Sequence, residues 1–576
     1  MSRLRPIAAA VLAVFAVLAP SAAADPLTFA APQYVDETFP GGEPVMQVDT
    51  VHHTIVYSSH EGTTHIYRQG LPSAQTLSFF TEYRNQTKMW TSKDNGETWQ
   101  RVDFLGTGFA SDPTKNSGFS DPDFGMDESG RIYNTGINLA NDALFSSPDG
   151  GFTWDKGTPY CASADRPWLA GAKTDEAFMS VNLNVGGHEI FQSTDGGMTC
   201  SAEGIPSPDG NGKLYYDHAS QRLVEPAQDG NKLGISVWKR GDPAFSFKPS
   251  GVESGVYAHW PAIAFDGAGT IYLVWDDNPR AEETAGGCDG ARTPLANTIR
   301  MVYTKDFGET WSRPVEIARM EGRFAFWPWV AAGDRGKVSV VWYQTDKLVD
   351  IGCEGAEISI YAASVTNADD DARRKIETVN ASGRPISKAQ QICQDGTSCV
   401  ATGEDRRLGD FFTNAVDERG CAIIASGDTM SPDPVTGGDR NVALPIFIRQ
   451  TAGPRLIGEG DCSGRPQPIA PPQPAVKPVQ PPAAGVPLPS NRRCTSRRRF
   501  PIRLRAPEGQ RLRSAKVFVN GKRVKVRKAK GRLTATVDLR GLRRSRYVVK
   551  VVAVTGQGRT VVSQRRYRTC TSKKRR

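Results

Sequence analysis

Five short segments of this chain place carboxylate, guanidinium or indole groups just ahead of an apolar, β-prone run. They are Asp121-Pro-Asp123, Asp165-Arg166-Pro-Trp168, His259-Trp260-Pro, Phe326-Trp327-Pro-Trp329 and Gly409-Asp410-Phe411-Phe412. Carboxylates and guanidinium groups grip hydroxyl and acid groups, and indole faces pack on the C–H surface of a ring, so the set suits a sugar. On that reading Arg166, Trp168, His259, Trp260, Trp327 and Trp329 bind the ligand. Asp121, Asp123, Asp165 and Asp410 are the catalytic candidates, because glycoside hydrolysis needs two carboxyl groups at a suitable separation. The competing reading has the aromatic-Pro pairs wedging neighbouring sheets together. Asp121, Asp123 and Asp127 also hint at an oxygen-ligand calcium loop, without the full liganding pattern or its terminal Glu. No Cys pair has zinc spacing beside His, and seven His leave little for a His-rich centre, so no metal ligand is assigned.

Groups so far apart in sequence meet only if a repeated element carries each of them to one rim. Such a repeat exists. Ser92-Lys-Asp94-Asn-Gly96-Glu-Thr-Trp99 recurs as Ser147-Pro-Asp149-Gly-Gly151-Phe-Thr-Trp154, Ser193-Thr-Asp195-Gly-Gly197-Met-Thr-Cys200 and Thr304-Lys-Asp306-Phe-Gly308-Glu-Thr-Trp311. Each copy follows a β-prone stretch. The Asp side chain can accept turn amides, the Gly supplies a positive φ, and the Trp opens the next strand. The gap from 193 to 304 is about twice the earlier spacings and holds a degenerate copy, Arg240-Gly-Asp242-Pro-Ala244-Phe-Ser-Phe247. A second repeat precedes each box: apolar strand, acidic turn, apolar strand, as in Ala262–Phe265, Asp266-Gly-Ala-Gly269 and Ile271–Trp275. Its turns centre on Asp49, Asp127, Lys173, Asp217, Asp266, Asp334 and Asp417. The fold class expected is all-β: a β-propeller of four-stranded blades, seven by this count or six as the alternative.

The boxed turn resembles the Asp-box (BNR) repeat of the sialidase-like (neuraminidase) superfamily of β-propellers, over roughly residues 32–460. The resemblance implies that the boxes lie at outer-strand turns and are structural: Asp94, Gly96, Trp99, Asp149, Gly151, Trp154, Asp195, Gly197, Asp306, Gly308 and Trp311. It implies ligands at the mouth of the central channel, and exo-α-sialidase-type glycoside hydrolysis as the nearest activity. Sialidases clamp a substrate carboxylate with three arginines and use a Tyr–Glu nucleophile with an Asp acid/base. The first arginine of that clamp sits in an R-I-P motif, which this chain lacks near its N-terminus; Tyr67-Arg68-Gln69-Gly70 is not a match. Arg280, Arg292, Arg323, Arg406 and Arg407 are clamp candidates among which spacing does not choose. A non-catalytic glycan- or protein-binding propeller, and another carbohydrate-active enzyme such as a lyase or endo-glycanase, are the alternatives.

The rest of the chain sets the context. Of 576 residues, 39% are hydrophobic and 23% charged, which rules out wholesale disorder, and 57 Gly with 39 Pro argue against a helical chain. No apolar run reaches the roughly 18 residues of a membrane span. Residues 1–24 read as a cleaved secretory signal, with Arg3 and Arg5 ahead of a short apolar stretch and Ala22-Ala23-Ala24 before Asp25. Export, to the medium or the cell surface, gives ten Cys a structural use. The expected pairs are Cys161–Cys200, Cys288–Cys353, Cys393–Cys399, Cys421–Cys462 and Cys494–Cys570.

Residues 25–462 form the expected propeller, and 463–491, with ten Pro in 29 residues, a semi-rigid linker. Residues 492–576 read as a basic immunoglobulin-like β-sandwich built around the Asn520-Gly521 hairpin signal. Residues 491–576 hold 30 Lys or Arg against Glu508 and Asp538, a net of +28, whereas residues 25–490 carry a net of −21. Such a tail attracts anionic polymers, and without a nucleic-acid fold signature it points away from sequence-specific nucleic-acid binding.

Overall fold

The computed structural model describes residues 25–463 apart from 40, 61–86, 103–119, 138–140, 185, 257, 259–260, 282–283, 286–291, 390–391, 394–398, 400–404 and 433–442. Beyond these it describes 499–504, 512–529, 532–538, 546–555 and 560–568. The signal segment, the linker past Ser463, and His259, Trp260, Cys288, Cys494 and Cys570 lie outside the described residues. The chain divides into two compact units, Met1–Pro466 and Gln467–Arg576.

Among the described residues every element is a strand. In the first unit seven antiparallel sheets of at least four strands follow one another along the chain. Their first strands are Gly42–Asp49, Ser120–Met126, Ala164–Gly171, Tyr215–Asp217, Ala262–Phe265, Ala325–Ala332 and Thr413–Val416. The last sheet takes its fourth strand from the other end of the unit, with Thr28–Phe29 pairing Leu444–Ala452. Neighbouring sheets meet along their first strands, with Arg222–Asp229 also beside Ala262–Phe265 and the Tyr215 and Phe265 ring centroids 6.1 Å apart. Thr413–Val416 then returns to Gly42–Asp49, and the circle closes. A central cavity of about 360 Å³ is lined by first-strand residues from six sheets, among them Gln47, Phe124, Tyr215, Phe265, Val330 and Asn414. The arrangement is that of a β-propeller.

Burial explains why these strands hold consecutive apolar residues rather than alternating ones. Thr54–His60, Ile132–Ile137, Ile271–Asp277, Val338–Thr345 and Ala422–Asp428 are buried at every position, because each second strand has a neighbouring sheet on both faces. One apolar core runs from Val56 through Phe145, Phe178, Leu223, Tyr272 and Trp342 to Ile446.

Both repeated turns find their hydrogen bonds. In the boxed turns, between third and fourth strands, Asp94 Oδ1 accepts Thr98 N at 2.8 Å and Gly96 N donates to Ser92 Oγ at 2.8 Å. Asp149, Asp195 and Asp306 accept Thr153, Thr199 and Thr310 amides in the same way. In the first hairpins the acid also stitches one sheet to the next: Asp175 N donates to Asp127 Oδ2 and Gly336 N to Asp266 Oδ2, at 2.8 and 2.9 Å. Gly96 has φ 83°, and a Cβ there would stand 2.6 Å from the Phe447 ring. Gly96→Ala is therefore expected to destabilise the first unit by about 1–3 kcal/mol. The check is chemical denaturation followed by tryptophan fluorescence; an unchanged midpoint would contradict the packing described.

Cys161–Cys200, Cys393–Cys399 and Cys421–Cys462 are disulfides, and Cys353 is disulfide-bonded to a residue outside those described. Bridges of this number are consistent with an extracellular protein. No helix among the described residues is long and apolar enough to cross a membrane.

The second unit has a three-stranded sheet (Arg499–Leu504, Arg532–Asp538, Val526–Ala529) and a four-stranded one (Lys522–Val524, Leu512–Val519, Arg546–Thr555, Thr560–Arg568). Both contribute to one small core around Val517, Val537, Val551 and Tyr547. Asn520 and Gly521 take φ of 47° and 79° in the tight turn between Leu512–Val519 and Lys522–Val524.

Candidate functional site

Four first strands open with a residue held at positive φ ahead of a proline: Glu43 (45°), Asp121 (54°), Arg166 (57°) and Trp327 (50°). At each the ladder skips, between Gly42 and Val45, Ser120 and Asp123, Asp165 and Trp168, and Phe326 and Trp329. Proline has no N–H to give the neighbouring strand, so the chain bulges there, and a bulge re-aims the side chain beside it. A left-handed non-glycine residue costs on the order of 1–3 kcal/mol, a strain that persists only where its surroundings enforce it.

Three of these re-aimed residues, with the 405–412 segment ahead of the last sheet, form a charged cluster. Glu43 is its buried base. Its Oε1 accepts Asp410 N at 2.9 Å, and its Oε2 accepts Asp121 N at 3.1 Å and Ser120 Oγ at 3.3 Å. His60 Nε2 lies 2.8 Å from Glu43 Oε2. Gly409, at φ 73°, makes room for this: a Cβ there would stand 2.2 Å from Glu43 Cγ. Asp410 Oδ2 accepts Arg406 Nη2 at 2.5 Å and lies 3.9 Å from Arg166 Nη2. Arg406 also donates to Cys393 O at 2.7 Å. Asp165 and Arg166 form the open side, their side chains 53% and 35% exposed and 3.8 Å apart.

The electrostatics pull the carboxyl groups apart. Burial alone would raise Glu43, but the His60 charge and hydrogen bond, then Arg406, outweigh it and hold the acid at about 2. Asp121 goes the other way: burial, then the charges of Glu43 and Asp165, push it well above the usual carboxylate range. Asp165 is also raised, by burial and by Asp410 and Glu43 against the opposing pull of Arg166. Buried Asp142 is raised by burial and by Asp165. An acid pushed up, an acid held down and a guanidinium thus share one place, a combination suited to general-acid chemistry on a polar substrate.

The structure brings Asp121, Asp165, Arg166 and Asp410 together. Asp123 lies elsewhere, in the cavity wall, where its Oδ2 accepts Lys213 Nζ at 2.5 Å and Leu169 N at 2.6 Å. Lys213 spends its other protons on Phe124 O and Leu169 O, at 2.5 and 2.7 Å, so the pair ties three sheets. Trp168 and Trp329 are buried and packed on each other and on Phe411, with ring centroids 4.9–5.9 Å apart. Trp327 is buried against Phe326 and Tyr343. Arg407 is paired with Asp405, Arg280 and Arg323 are exposed, and Arg292 belongs to a short hairpin with Thr284–Ala285. The three aspartates of the calcium expectation diverge: Asp121 joins the cluster, Asp123 holds Lys213, and Asp127 Oδ1 caps its turn through Ser129 N and Arg131 N. Among the described residues no group of three or more His, Cys, Asp or Glu could hold a metal ion.

Sequence reasoning missed Glu43, His60 and Ser120 and left Arg406 one candidate among five. Glu43 was findable, since Glu43-Pro44 occupies the same place as Asp121-Pro122 and Arg166-Pro167. His60 closes a second strand and carries no signal of its own.

No family model and no curated protein matches the chain. Among solved structures it is similar to a protein of unknown function from Dyadobacter fermentans, at 12% identity and TM-score 0.38, covering 73% of this chain and 97% of that one. It is also similar to a point mutant of NanB sialidase from Streptococcus pneumoniae (10%, TM-score 0.34, 74% and 70%). A third likeness is to the intramolecular trans-sialidase from Ruminococcus gnavus (11%, TM-score 0.31, 73% and 96%). The fold assignment rests on the sheet topology of this chain.

Proposed function

We propose that the chain is an exported propeller of seven blades, one per sheet, of the sialidase-like Asp-box type, that takes a glycan at the rim formed by Asp121, Asp165, Arg166 and Asp410. There it acts as a glycoside hydrolase in which Asp121 donates a proton to the leaving oxygen as the glycosidic bond breaks, the Asp165 carboxyl faces the sugar, and water takes up the glycosyl group at the anomeric carbon. Arg166 binds a hydroxyl or acid group of the substrate. The observation that carries the reading is the pair of opposed shifts at one bulged rim, Glu43 held down to about 2 and Asp121 pushed up. The basic second unit, read as an immunoglobulin-like sandwich, holds the protein to anionic polymers outside the cell. A non-catalytic glycan-binding propeller is the second reading, and the closed Arg406–Asp410 pair favours it, because that pair needs no substrate to complete it.

The test is release of fluorophore from a panel of aryl glycosides that includes a sialoside. Turnover that disappears in Asp121→Asn supports hydrolysis. Glycan binding without turnover, lost in Asp165→Ala/Arg166→Ala, selects the second reading. Neither turnover nor binding would remove both.

A further inference from the structure

We propose that the outer face of the four-stranded C-terminal sheet binds an acidic polysaccharide, whose carboxylate groups are held by Lys516, Arg523, Lys550 and Arg566. The proposal rests on the reading of the basic unit as an adhesion element and names the face and the polymer. Alternation along the strands fixes which side chains point outward. Val517, Val519, Val549, Val551 and Tyr567 are buried in the unit's core, so Lys516, Phe518, Val548, Lys550, Val552 and Arg566 stand on the other side, and the four cations are exposed.

Register sets the pattern. Phe518 pairs with Arg523 on one side and with Lys550 on the other, Lys516 pairs with Val552, and Arg566 pairs with Val548. With strands about 4.8 Å apart, Arg523 and Lys550 stand roughly 10 Å apart, and Arg566 and Lys516 lie one strand over and two residues along from Lys550, in opposite directions. Between them run half-buried Phe518, Val548 and Val552. The strands of this sheet carry no acid; of the tail's two, Asp538 is in the other sheet and Glu508 lies outside the described residues.

Widely spaced cations separated by apolar strips match a polyuronate, which presents a single acid group on each sugar and C–H ring faces between them. Duplex DNA carries a charge about every 1.7 Å of axis. Single strands need aromatic platforms for successive bases, and this face has Phe518 alone.

The experiment measures binding of the full-length protein to a polyuronate and to a 30-base-pair duplex DNA across a salt series. It compares Lys516→Glu/Arg523→Glu/Lys550→Glu with the equal charge change Lys525→Glu/Arg527→Glu/Lys528→Glu on exposed residues in and just ahead of the Val526–Ala529 strand of the other sheet. Alanine versions are run beside both, and thermal melting confirms that each variant is folded. The face variant is expected to bind polyuronate at least about tenfold more weakly, with a log–log salt slope shallower by about 2, while the control loses much less. Equal losses in both variants would overturn the face, and tighter binding of DNA than of polyuronate would overturn the polymer. If the unmodified protein binds neither polyanion, the adhesion reading itself falls.

Discussion

Asp121→Asn is expected to lower kcat on a glycoside with a poor leaving group by about 10²–10⁴-fold, the usual worth of a positioned proton donor. An activated aryl leaving group needs less protonation, so the loss there is expected to be smaller. The expectation follows from where the strand puts the residue. Pro122 breaks the ladder, the bulge points Asp121 at the rim, and burial beside Glu43 and Asp165 favours its protonated form. The amide has the same shape but cannot donate the acid proton, so glycan affinity should change little. Activity should fall as pH rises through the raised pKa of Asp121. A variant that kept full kcat on the poor leaving group would remove Asp121 from the chemistry.

Glu43→Ala is expected to cost about 3–5 kcal/mol of stability, because it strips the partner from buried His60 and leaves two amides and the Arg406 charge undercompensated. Urea unfolding of the variant against the parent is the check, and a loss under 1 kcal/mol would contradict the account. The sign of the pH effect is determined. Glu43 is held below its ordinary value of 4.5, so its contribution is present above that pH and is lost as pH falls from 4.5 through about 2. Asp121 acts oppositely: being raised, it favours the folded state below its unfolded value of 3.8, and that contribution is lost as pH rises through its folded pKa. Glu43→Gln keeps the shape and removes the charge that helps to raise Asp121. The alkaline limb of the activity profile should therefore move to lower pH in that variant, a shift that loss of stability alone would not produce.

The architecture was legible because it is written in local chemistry. A turn that needs Ser or Thr, Asp and Gly at fixed offsets leaves the same mark wherever it recurs, and strands packed on both faces read as apolar runs. The site was legible only in part. Asp121, Asp165, Arg166 and Asp410 stand just ahead of or at the opening of first strands, and alignment of the repeats brings them to one rim. Trp168 and Trp329 stand two residues past the bulged position, where the strand directs them into the junction between sheets; only the packing of Phe411 against both reveals that. Glu43 acts through the amide of a residue 367 positions away, and His60 through Glu43, so neither role has a local signature. Asp123 shares a tripeptide with Asp121, yet the strand pleat and Lys213 send it into the cavity wall.

A crystal structure of the protein soaked with the glycan it binds most tightly puts the whole account at risk. The account predicts a sugar ring between Asp121 and Arg166, with a glycosidic oxygen about 2.6–3.2 Å from the Asp121 carboxyl and Asp165 facing the ring. Density for the sugar at the boxed turns, or in the central cavity against Lys213, with the Asp121 rim holding only water, would contradict it.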